Sequence, residues 1–333
     1  MNPKATILAG DVGGTKTVLS LYEKSPEGVH EVREEIFSSQ EHDSLDEILV
    51  AFLKEGGSPR PRALCLGVAG AVIEGRSKIT NLPWELDESA LRRSTGVTRV
   101  KLLNDLEAAA YGMLTLEEDD LFVLNKGVEP ARKGNRAVIA AGTGLGEAIL
   151  YWDGDQHRVM ATEGGHADFA PRTDEEIELF QYLRRKYGGH VSYERVLSGP
   201  GFFSIYSFLR DTGHAPERAG MKERIESADD PSAVVTQAGL EQKDPLSVRT
   251  LELFASIYGA EAGNLALRCL AVGGVYVGGG IAPKILPALK EGHFMNGFTE
   301  KGRFSDLVRG ISVSVGLNLR VPLLGAAYYA LRL

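Results

Sequence analysis

Hydrophobic positions in the first part of the chain alternate with polar ones or form short apolar runs, a pattern typical of β-strands. The strands predicted from these runs are Ala5–Ala9, Thr17–Tyr22, Val32–Phe37, Ala63–Val68 and Val100–Leu103. The first is closed by Gly10-Asp11, and Gly13-Gly14 then forms a turn, so the first two strands predict a hairpin. The capping-box pattern Ser44-x-x-Glu47 predicts a helix that runs to Lys54, and a second helix is predicted over DLEAAAYGML directly after Leu103.

The second half repeats this arrangement. Strands predicted at Ala137–Ala141 and Ala148–Trp152 flank a glycine turn at Gly142–Gly146, and Val275–Val277 precedes Gly278-Gly279-Gly280. Helices are predicted from Thr173-x-x-Glu176 with an apolar face of Ile177, Phe180, Leu183 and Tyr187, from Asp244-Pro245 through Leu251, Phe254 and Tyr258, from near Pro283, and over Pro322–Leu333. One glycine-turn hairpin in each half predicts two related α/β lobes.

Length, charge and cysteine content narrow the class of protein. A chain of 333 residues predicts roughly two domains. The net charge of −8 argues against binding to nucleic acid or to an anionic membrane surface. Cys65 and Cys269 lie in apolar stretches without a CxxC pair, which predicts buried free thiols. The apolar N-terminal run is too short for a signal peptide, and Gly263–Ala282 carries Arg268 and many glycines, so we expect a cytoplasmic protein without a membrane span.

The segment Asp11-Val12-Gly13-Gly14-Thr15 is the first candidate site. Paired glycines let backbone amides approach a phosphate, Thr15 adds a hydroxyl donor, and Asp11 could hold Mg²⁺ directly or through water. The alternative is an ordinary hairpin turn.

Two further glycine turns are candidates for a nucleotide. Gly142-Thr143-Gly144-Leu145-Gly146 contains GxGxG, but Glu147–Trp152 alternates like a strand where an NAD fingerprint needs a helix, which disfavours NAD. The chain also lacks GxxxxGK[ST], the HRD and DFG sets and GxSxG, which argues against a Walker-type nucleotide site, a protein kinase and a hydrolase. Gly278-Gly279-Gly280 is either a strand-to-helix turn or a flat backbone surface for adenosine.

Polar side chains at three further places are candidates for catalysis or sugar binding. Asn104-Asp105 lies where a strand meets a helix, so Asp105 is either a helix N-cap or a general base at the carboxyl edge of a sheet. The segment Glu163-Gly164-Gly165-His166-x-Asp168 is a structural loop, a metal site or a sugar site, because Glu and His supply the paired acceptors and donors that hydroxyls need. Glu194 is a further acceptor.

Together these segments resemble the bacterial glucokinase family of the actin–hexokinase superfamily. The resemblance covers nearly the whole chain, in the order LAGDVGGTK, TNLPWELD, LNDLEAAAYG, AGTGLGEAIL, EGGHADFAP, YERVLSGPG and GGVYVGGGI. It implies two ribonuclease-H-like α/β domains with mixed sheets, helices around them and an interdomain cleft. The small domain is expected over 1–112 with 318–333, closed by the C-terminal helix, and the large domain over 113–317.

The resemblance also implies an ATP-dependent, Mg²⁺-requiring transfer to the 6-hydroxyl of D-glucose. The residues it assigns to ATP are Asp11, Gly13, Gly14, Thr15, Lys16, Gly142, Thr143, Gly144, Gly278, Gly279 and Gly280, with Asp11 also near Mg²⁺. It assigns the catalytic base to Asp105 and the glucose contacts to Asn104, Asp105, Glu163, His166 and Glu194. A homodimer is expected by resemblance alone.

Some positions depart from the family pattern. Lys16-Thr17 replaces the Asn-Ala-Arg of proteobacterial members, and Leu106 stands where phenylalanine is usual, which indicates another branch of the family. A sister family of sugar kinases and repressors shares EGGH but follows it with a cysteine-rich zinc motif, and here no cysteine follows until Cys269. The remaining alternatives are a kinase of the same fold for another hexose or N-acetylhexosamine, and a non-catalytic ATP-binding regulator.

Overall fold

The computed structural model describes residues 6–25, 28–55, 60–128 and 133–333. The strands are β1 (Thr6–Val12), β2 (Lys16–Ser25), β3 (Gly28–Ser38), β4 (Ala63–Val68), β5 (Val72–Ile73), β6 (Arg76–Lys78), β7 (Glu85–Asp87), β8 (Arg99–Asn104), β9 (Leu121–Asn125), β10 (Arg136–Ala141), β11 (Leu145–Trp152), β12 (His157–Ala161), β13 (Val275–Gly278) and β14 (Val313–Gly316). The helices are α1 (Leu45–Glu55), α2 (Glu88–Thr95), α3 (Asp105–Met113), α4 (Asp174–Tyr187), α5 (Gly199–Asp211), α6 (Met221–Glu226), α7 (Pro231–Leu240), α8 (Pro245–Arg268), α9 (Leu286–Lys290), α10 (His293–Thr299), α11 (Ser305–Arg309) and α12 (Val321–Ala330).

These elements form two compact units. The first takes Met1–Glu117 with Asn318–Leu333, and the second takes Glu118–Leu317. Each unit combines a mixed sheet with helices, which confirms the predicted α/β class.

The main sheet of the first unit has the order β3-β2-β1-β4-β8. β1 pairs antiparallel with β2, whereas β1, β4 and β8 run parallel to one another. Their carboxyl ends therefore lie at one edge of the sheet. Helix α12 packs on α3 so closely that a Cβ on Gly112 or Gly325 would overlap a main-chain carbonyl of the facing helix.

The hairpin predicted at the start of the chain is confirmed, but its first strand is longer than predicted. The sequence predicts Ala5–Ala9, closed by Gly10-Asp11, whereas β1 runs on to Val12; Ala5 lies outside the described residues. Asp11 still pairs with β2 on one side and with β4 on the other, so pairing on both edges carries the strand past the glycine.

The sheet of the second unit has the order β12-β11-β10-β13-β14-β9. β10 and β13 are parallel neighbours, and β10 forms a hairpin with β11. The longest helix, α8, begins as predicted after Asp244, whose carboxylate accepts a hydrogen bond from the Ser247 amide. Its aromatic residues Phe254 and Tyr258 lie in the core of this unit. Among the described residues, no helix combines the length and apolarity that crossing a bilayer requires.

Two predicted turns in this unit need correction. The glycine turn spans residues 142–144 instead of Gly142–Gly146, because Leu145 already pairs with Ala141 across the hairpin. The helix predicted from near Pro283 begins three residues later, as α9 at Leu286.

Two predicted helices also differ in detail. α4 is capped by Thr173 as predicted, but Ile177 is 41% exposed. Leu183 is buried, and Phe180 and Tyr187 pack on the core as predicted. The buried face also carries Leu179 and Glu176, whose carboxylate pairs with Arg172. The last helix was predicted to reach the end of the chain, and α12 ends at Ala330.

Candidate active site

The carboxyl edge of the first unit's sheet brings Asp11 and Asn104-Asp105 together. Asp11 pairs with Gly67 of β4, and Asn104 pairs with Val68 of the same strand. Residues 93 positions apart in sequence thus lie on strands that flank β4 on its two sides.

The turn after β1 is fixed by two hydrogen bonds. The amide of Gly13 donates to the Lys16 carbonyl at 3.0 Å, and the Ser39 hydroxyl donates to the Gly13 carbonyl at 2.8 Å. A Cβ on Gly14 would lie 2.8 Å from the Thr80 carbonyl oxygen, so this position has no room for a side chain. Thr15 and Lys16 are exposed, as a phosphate contact requires.

Asp11 has the most perturbed carboxyl group of this edge. Burial and, less strongly, the negative charge of Asp105 raise its pKa to about 6, and the positive charge of Lys16 opposes both. Two carboxylates that repel each other beside a phosphate-type turn form a site that a cation would stabilise.

Asn104 and Asp105 divide the two roles that the sequence left open. Asn104 is the N-cap of α3: its Oδ1 accepts hydrogen bonds from Leu106 and Glu107, and its Nδ2 donates to the Gly70 carbonyl at 3.1 Å. Asp105 is the first residue of the helix, exposed, with Oδ1 accepting from the Leu106 amide at 2.8 Å. Since the cap is provided by Asn104, the carboxylate of Asp105 is not needed for that purpose.

The sequence reasoning gave no role to one neighbouring feature. An open depression of about 510 Å³ is lined by Lys78, Ile79, Thr80, Asn81, Leu82 and Pro83. Asn81 has φ of 65°, a left-handed conformation that is uncommon for residues other than glycine. The available signal was the segment TNLPWELD, one of the seven that carry the family resemblance.

The two glycine turns of the second unit lie at the ends of parallel neighbours. Ala140 of β10 pairs with Gly278, the last residue of β13. Gly279 has φ of 80° and its Cβ would lie 2.8 Å from the Ala141 carbonyl carbon, so only glycine fits. At Gly142 and Gly280, in contrast, a Cβ would meet nothing within 4 Å, which leaves an open backbone surface for a ligand.

A buried tyrosine joins these two turns. The hydroxyl of Tyr258 accepts from the Ala141 amide at 3.1 Å and lies 3.3 Å from the carbonyl oxygens of Ile139 and Gly278. It is fully buried. The ends of β10 and β13 are therefore held in register by one side chain of α8. Thr143, between the glycines of the first turn, is exposed.

The predicted sugar contacts Glu163, His166 and Glu194 gather around the start of β11. The turn Gly164–His166 packs on β11, where a Cβ on Gly165 would overlap the Leu145 carbonyl group. Glu163 and His166, at the ends of this turn, are exposed.

Glu194 lies on the short turn Tyr193–Arg195 and faces the same place. Its Oε2 accepts from the Leu145 amide at 3.0 Å, and its Oε1 lies 3.9 Å from Nδ1 of His166. A Cβ on Gly144 would lie 2.5 Å from Glu194 Oε2, so the glycine leaves room for this carboxylate beside the turn at residues 142–144. Within the second unit, the structure thus places predicted sugar and phosphate residues side by side.

The metal alternative for this segment finds no support in the geometry. The described residues contain no group of three or more His, Cys, Asp or Glu side chains arranged to hold a metal ion. Asp168 pairs instead with His190, at 3.0 Å.

A glycine turn at the carboxyl end of a sheet strand in each of two α/β units is typical of the actin–hexokinase class of ATPases and sugar kinases. Comparison with known proteins gives the finer assignment. The family model described as Glucokinase matches residues 8–333. A glucokinase from Nostoc punctiforme is 42% identical over 339 residues, covering 98% of this chain and 99% of the relative. One from Synechocystis is 43% identical over 348 residues and covers 97% of each.

A solved structure supports the same assignment. The crystal structure of glucokinase from an Antarctic psychrotroph matches with a TM-score of 0.86 and 28% identity, over 98% of this chain and 99% of that one. The chain belongs to the glucokinase family, which confirms the resemblance inferred from its motifs.

Proposed function

We propose that this chain transfers the γ-phosphoryl group of ATP to the 6-hydroxyl of D-glucose, giving glucose 6-phosphate and ADP. The family relationship over nearly the whole chain supports the two substrates. The observation that carries the mechanism is the exposed carboxylate of Asp105, at the same sheet edge as the Asp11–Thr15 turn and relieved of capping by Asn104.

In this mechanism Asp105 is the general base. It accepts the proton of the 6-hydroxyl as that oxygen attacks the γ-phosphorus in line. An ordinary carboxylate suffices, because the transition state of phosphoryl transfer is loose and the base mainly orients the hydroxyl. Water is a competing acceptor, so orienting the sugar is the main task of the remaining residues.

In the second unit, Glu163, His166 and Glu194 are the proposed hydrogen-bond partners of sugar hydroxyls. In the first unit, Asn104 is the proposed sugar contact. Carboxylates accept hydrogen bonds from hydroxyls, and imidazole and amide nitrogens donate to them. The Nδ2 of Asn104 has two hydrogens, and its contact with the Gly70 carbonyl uses one.

The phosphates of ATP are held by backbone amides of the glycine turns. In the first unit the available amide is that of Gly14, with Thr15 and Lys16 beside it; the Gly13 amide donates to the Lys16 carbonyl, so Gly13 contributes an open backbone without a side chain. In the second unit the amides are contributed by the turn Gly142–Gly144, and Gly278–Gly280 faces the adenosine. Gly142 and Gly280 support this assignment, since their open faces let the nucleotide approach the backbone.

The donor set around Asp11 fits Mg²⁺. Magnesium is usually held by one or two carboxylates together with substrate phosphates. The pKa of Asp11 is raised first by burial and then by the negative charge of Asp105, and a cation would offset both effects. When bound, the ion supplies charge neutralisation for the phosphate oxygens. Asp11 is the residue that would hold it, directly or through water.

The test is ADP release from Mg-ATP against glucose, mannose, fructose, N-acetylglucosamine and N-acetylmannosamine, with a blank without sugar. We expect a strong preference for glucose. Preference for another hexose would retain the phosphate turns and Asp105 but refute the assigned sugar contacts. Turnover with none of these sugars would refute the proposal and favour a regulatory ATP-binding role.

The base is tested by Asp105→Ala. We expect turnover to fall by about 10²-fold or more, with a smaller loss of glucose affinity. Asp174→Ala is the matched control, because Asp174 is also an exposed first residue of a helix and takes no part in the proposed site. Near-normal turnover in Asp105→Ala would refute the base assignment.

The family resemblance adds two expectations, a homodimer and a cytoplasmic location. Light scattering on the purified protein checks the first, and cell fractionation checks the second.

A further inference from the structure

Two buried glutamates lie outside the proposed ligand contacts. Glu147 is on β11 and Glu261 is on α8, and they are 1% and 0% exposed. The guanidinium of Arg268 lies 2.5 Å from Glu261 Oε1 and 3.7 Å from Glu147 Oε2. One guanidinium group thus faces two carboxyl groups and lies closer to that of Glu261. A second buried carboxylate without a partner of its own is costly.

The carboxyl group of Glu147 therefore keeps its proton near neutral pH. Both of its side-chain oxygens are buried and have no hydrogen-bond partner among the described residues. Burial raises its pKa to about 8, with the negative charge of Glu261 adding to the effect and Arg268 opposing it. Two carboxylates cannot hydrogen bond to each other, whereas a carboxylic acid can donate to a carboxylate. Glu147 is the neutral, donating member of the pair.

The turn that carries Glu163 and His166 lies directly on Glu147. A Cβ on Gly164 would lie 3.0 Å from the carboxyl carbon of Glu147 and closer still to Oε2. The Thr162 hydroxyl donates to the Glu147 carbonyl at 2.8 Å and accepts from the Gly164 amide at 3.0 Å. Both the side chain and the main chain of Glu147 therefore fix this turn.

The other glutamate of the pair is connected to the second sugar-binding turn. Asn264 Nδ2 donates to Glu261 Oε2 at 2.9 Å and to the Tyr193 hydroxyl at 3.1 Å. Tyr193 is buried and directly precedes Glu194. One buried network thus lies under all three proposed sugar contacts of the second unit.

We propose that the Glu147–Glu261 pair positions the sugar-binding turns of the second unit, and that Glu147 does so in its protonated form. Ionisation of Glu147 places a second negative charge beside Glu261 and displaces the turn above it. The inference rests on the proposed function, since it takes Glu163, His166 and Glu194 as sugar contacts.

Other ionisable groups face the Glu147–Glu261 pair, and their titration must be distinguished from that of Glu147. Arg268 lies on α8 with Glu261, Tyr193 lies on the turn before Glu194, and Lys301 follows α10. Burial raises the pKa of Tyr193 well above its usual value, so it stays neutral. Burial lowers the pKa of Lys301 to about 8, so Lys301 titrates in the same range as Glu147. A pH profile of the unmodified protein alone therefore does not assign the group.

The experiment is calorimetric titration of glucose into the unmodified protein and into Glu147→Gln, at pH 7 and pH 9. If only the protonated form binds well, the dissociation constant of the unmodified protein rises about tenfold between these values. The amide of glutamine donates to Glu261 as the protonated carboxyl does, and it does not titrate. Glu147→Gln is expected to match the unmodified protein at pH 7 and to lose the tenfold rise.

Glu176→Gln is the matched control, because Glu176 is equally buried, lies on α4 of the same unit and pairs with Arg172. It should retain the tenfold rise. The same rise in Glu147→Gln, or an unmodified protein whose affinity is equal at both pH values, overturns the proposal.

Two further outcomes are distinguishable. If circular dichroism shows that Glu147→Gln does not fold, Glu261→Gln replaces it. Glu261→Gln leaves Glu147 alone with Arg268, so it should also remove the tenfold rise of the dissociation constant. Retention of that rise refutes the proposal. An unmodified protein that neither binds nor phosphorylates glucose refutes the proposed function and this inference together. Normal phosphorylation with an unchanged rise in Glu147→Gln refutes only the inference.

Discussion

Replacing Gly165 by alanine tests whether the turn Gly164–His166 sets the affinity for sugar. A Cβ at this position would lie 2.9 Å from the carbonyl carbon of Leu145 and would overlap its oxygen, whereas ordinary Cβ contacts begin at 3.4 Å. The obstacle is main chain of β11, which cannot rotate away. The turn must therefore move outward by about 1 Å, and a displacement of this size costs about 10²-fold where binding groups are precisely placed.

We expect Gly165→Ala to lower kcat/KM for glucose by about 10²-fold, mostly through KM, while the KM for ATP changes little. Overpacking should also lower the free energy of unfolding by about 1–3 kcal/mol. Coupled measurement of ADP release at varied glucose and at varied ATP separates the two KM values, and thermal denaturation reports the stability.

Gly297→Ala is the control for a purely structural effect. Its Cβ would also overlap a main-chain carbonyl, that of Ser256 on α8, but no proposed site residue touches it. It should lose stability while the KM for glucose stays the same. A folded Gly165→Ala with the KM of the unmodified protein, or an equal rise of KM in Gly297→Ala, would refute the reasoning.

Three further predictions concern stability and nucleotide binding. Asp244→Ala removes a fully buried N-cap and should lower the free energy of unfolding by about 1–2 kcal/mol in urea titration, more than Asp230→Ala, which removes an exposed cap. Tyr258→Phe leaves the ends of β10 and β13 without their shared hydroxyl; the KM for ATP should rise several-fold in steady-state kinetics and the KM for glucose should not. The pKa of Glu147 is raised from 4.5 to about 8 in the folded chain, so the unfolded chain releases this proton at lower pH. The free energy of unfolding should therefore fall as the pH rises from 4.5 to about 8. Thermal denaturation at several pH values should show a weaker pH dependence of stability in Glu147→Gln.

Elements with local signals were predictable from the sequence. The caps at Thr173 and Asp244 depend on hydrogen bonds to amides three residues away, so the residue types identify them directly. The hairpins likewise follow from a turn and its two flanking strands. Where predictions failed, partners outside the predicted pattern decided: pairing with β4 extends β1 to Val12, and the ion pair with Arg172, four residues earlier, accompanies the burial of Glu176 on α4.

The segments of the candidate site are also predicted from the sequence, because each glycine turn is contiguous and its residue types suit phosphate or sugar. The division of roles between Asn104 and Asp105 was not, since either residue type can cap a helix. Only the fold shows that Asn104 caps the helix, with its side-chain amide donating to the Gly70 carbonyl. It also shows that the negative charge of Asp105 raises the pKa of Asp11.

The sequence by itself determined the α/β class, the family and the short segments that carry its chemistry, because these depend on interactions between residues close together in the chain. The tertiary structure decided which of these segments meet and what charges they impose on each other. Glu147 shows the difference most clearly: in the sequence it is one residue of a strand, and its partner Glu261 lies on a helix far along the chain. Burying the two together is what keeps a proton on Glu147, since the cost of a second buried charge depends on surroundings that only the folded chain creates.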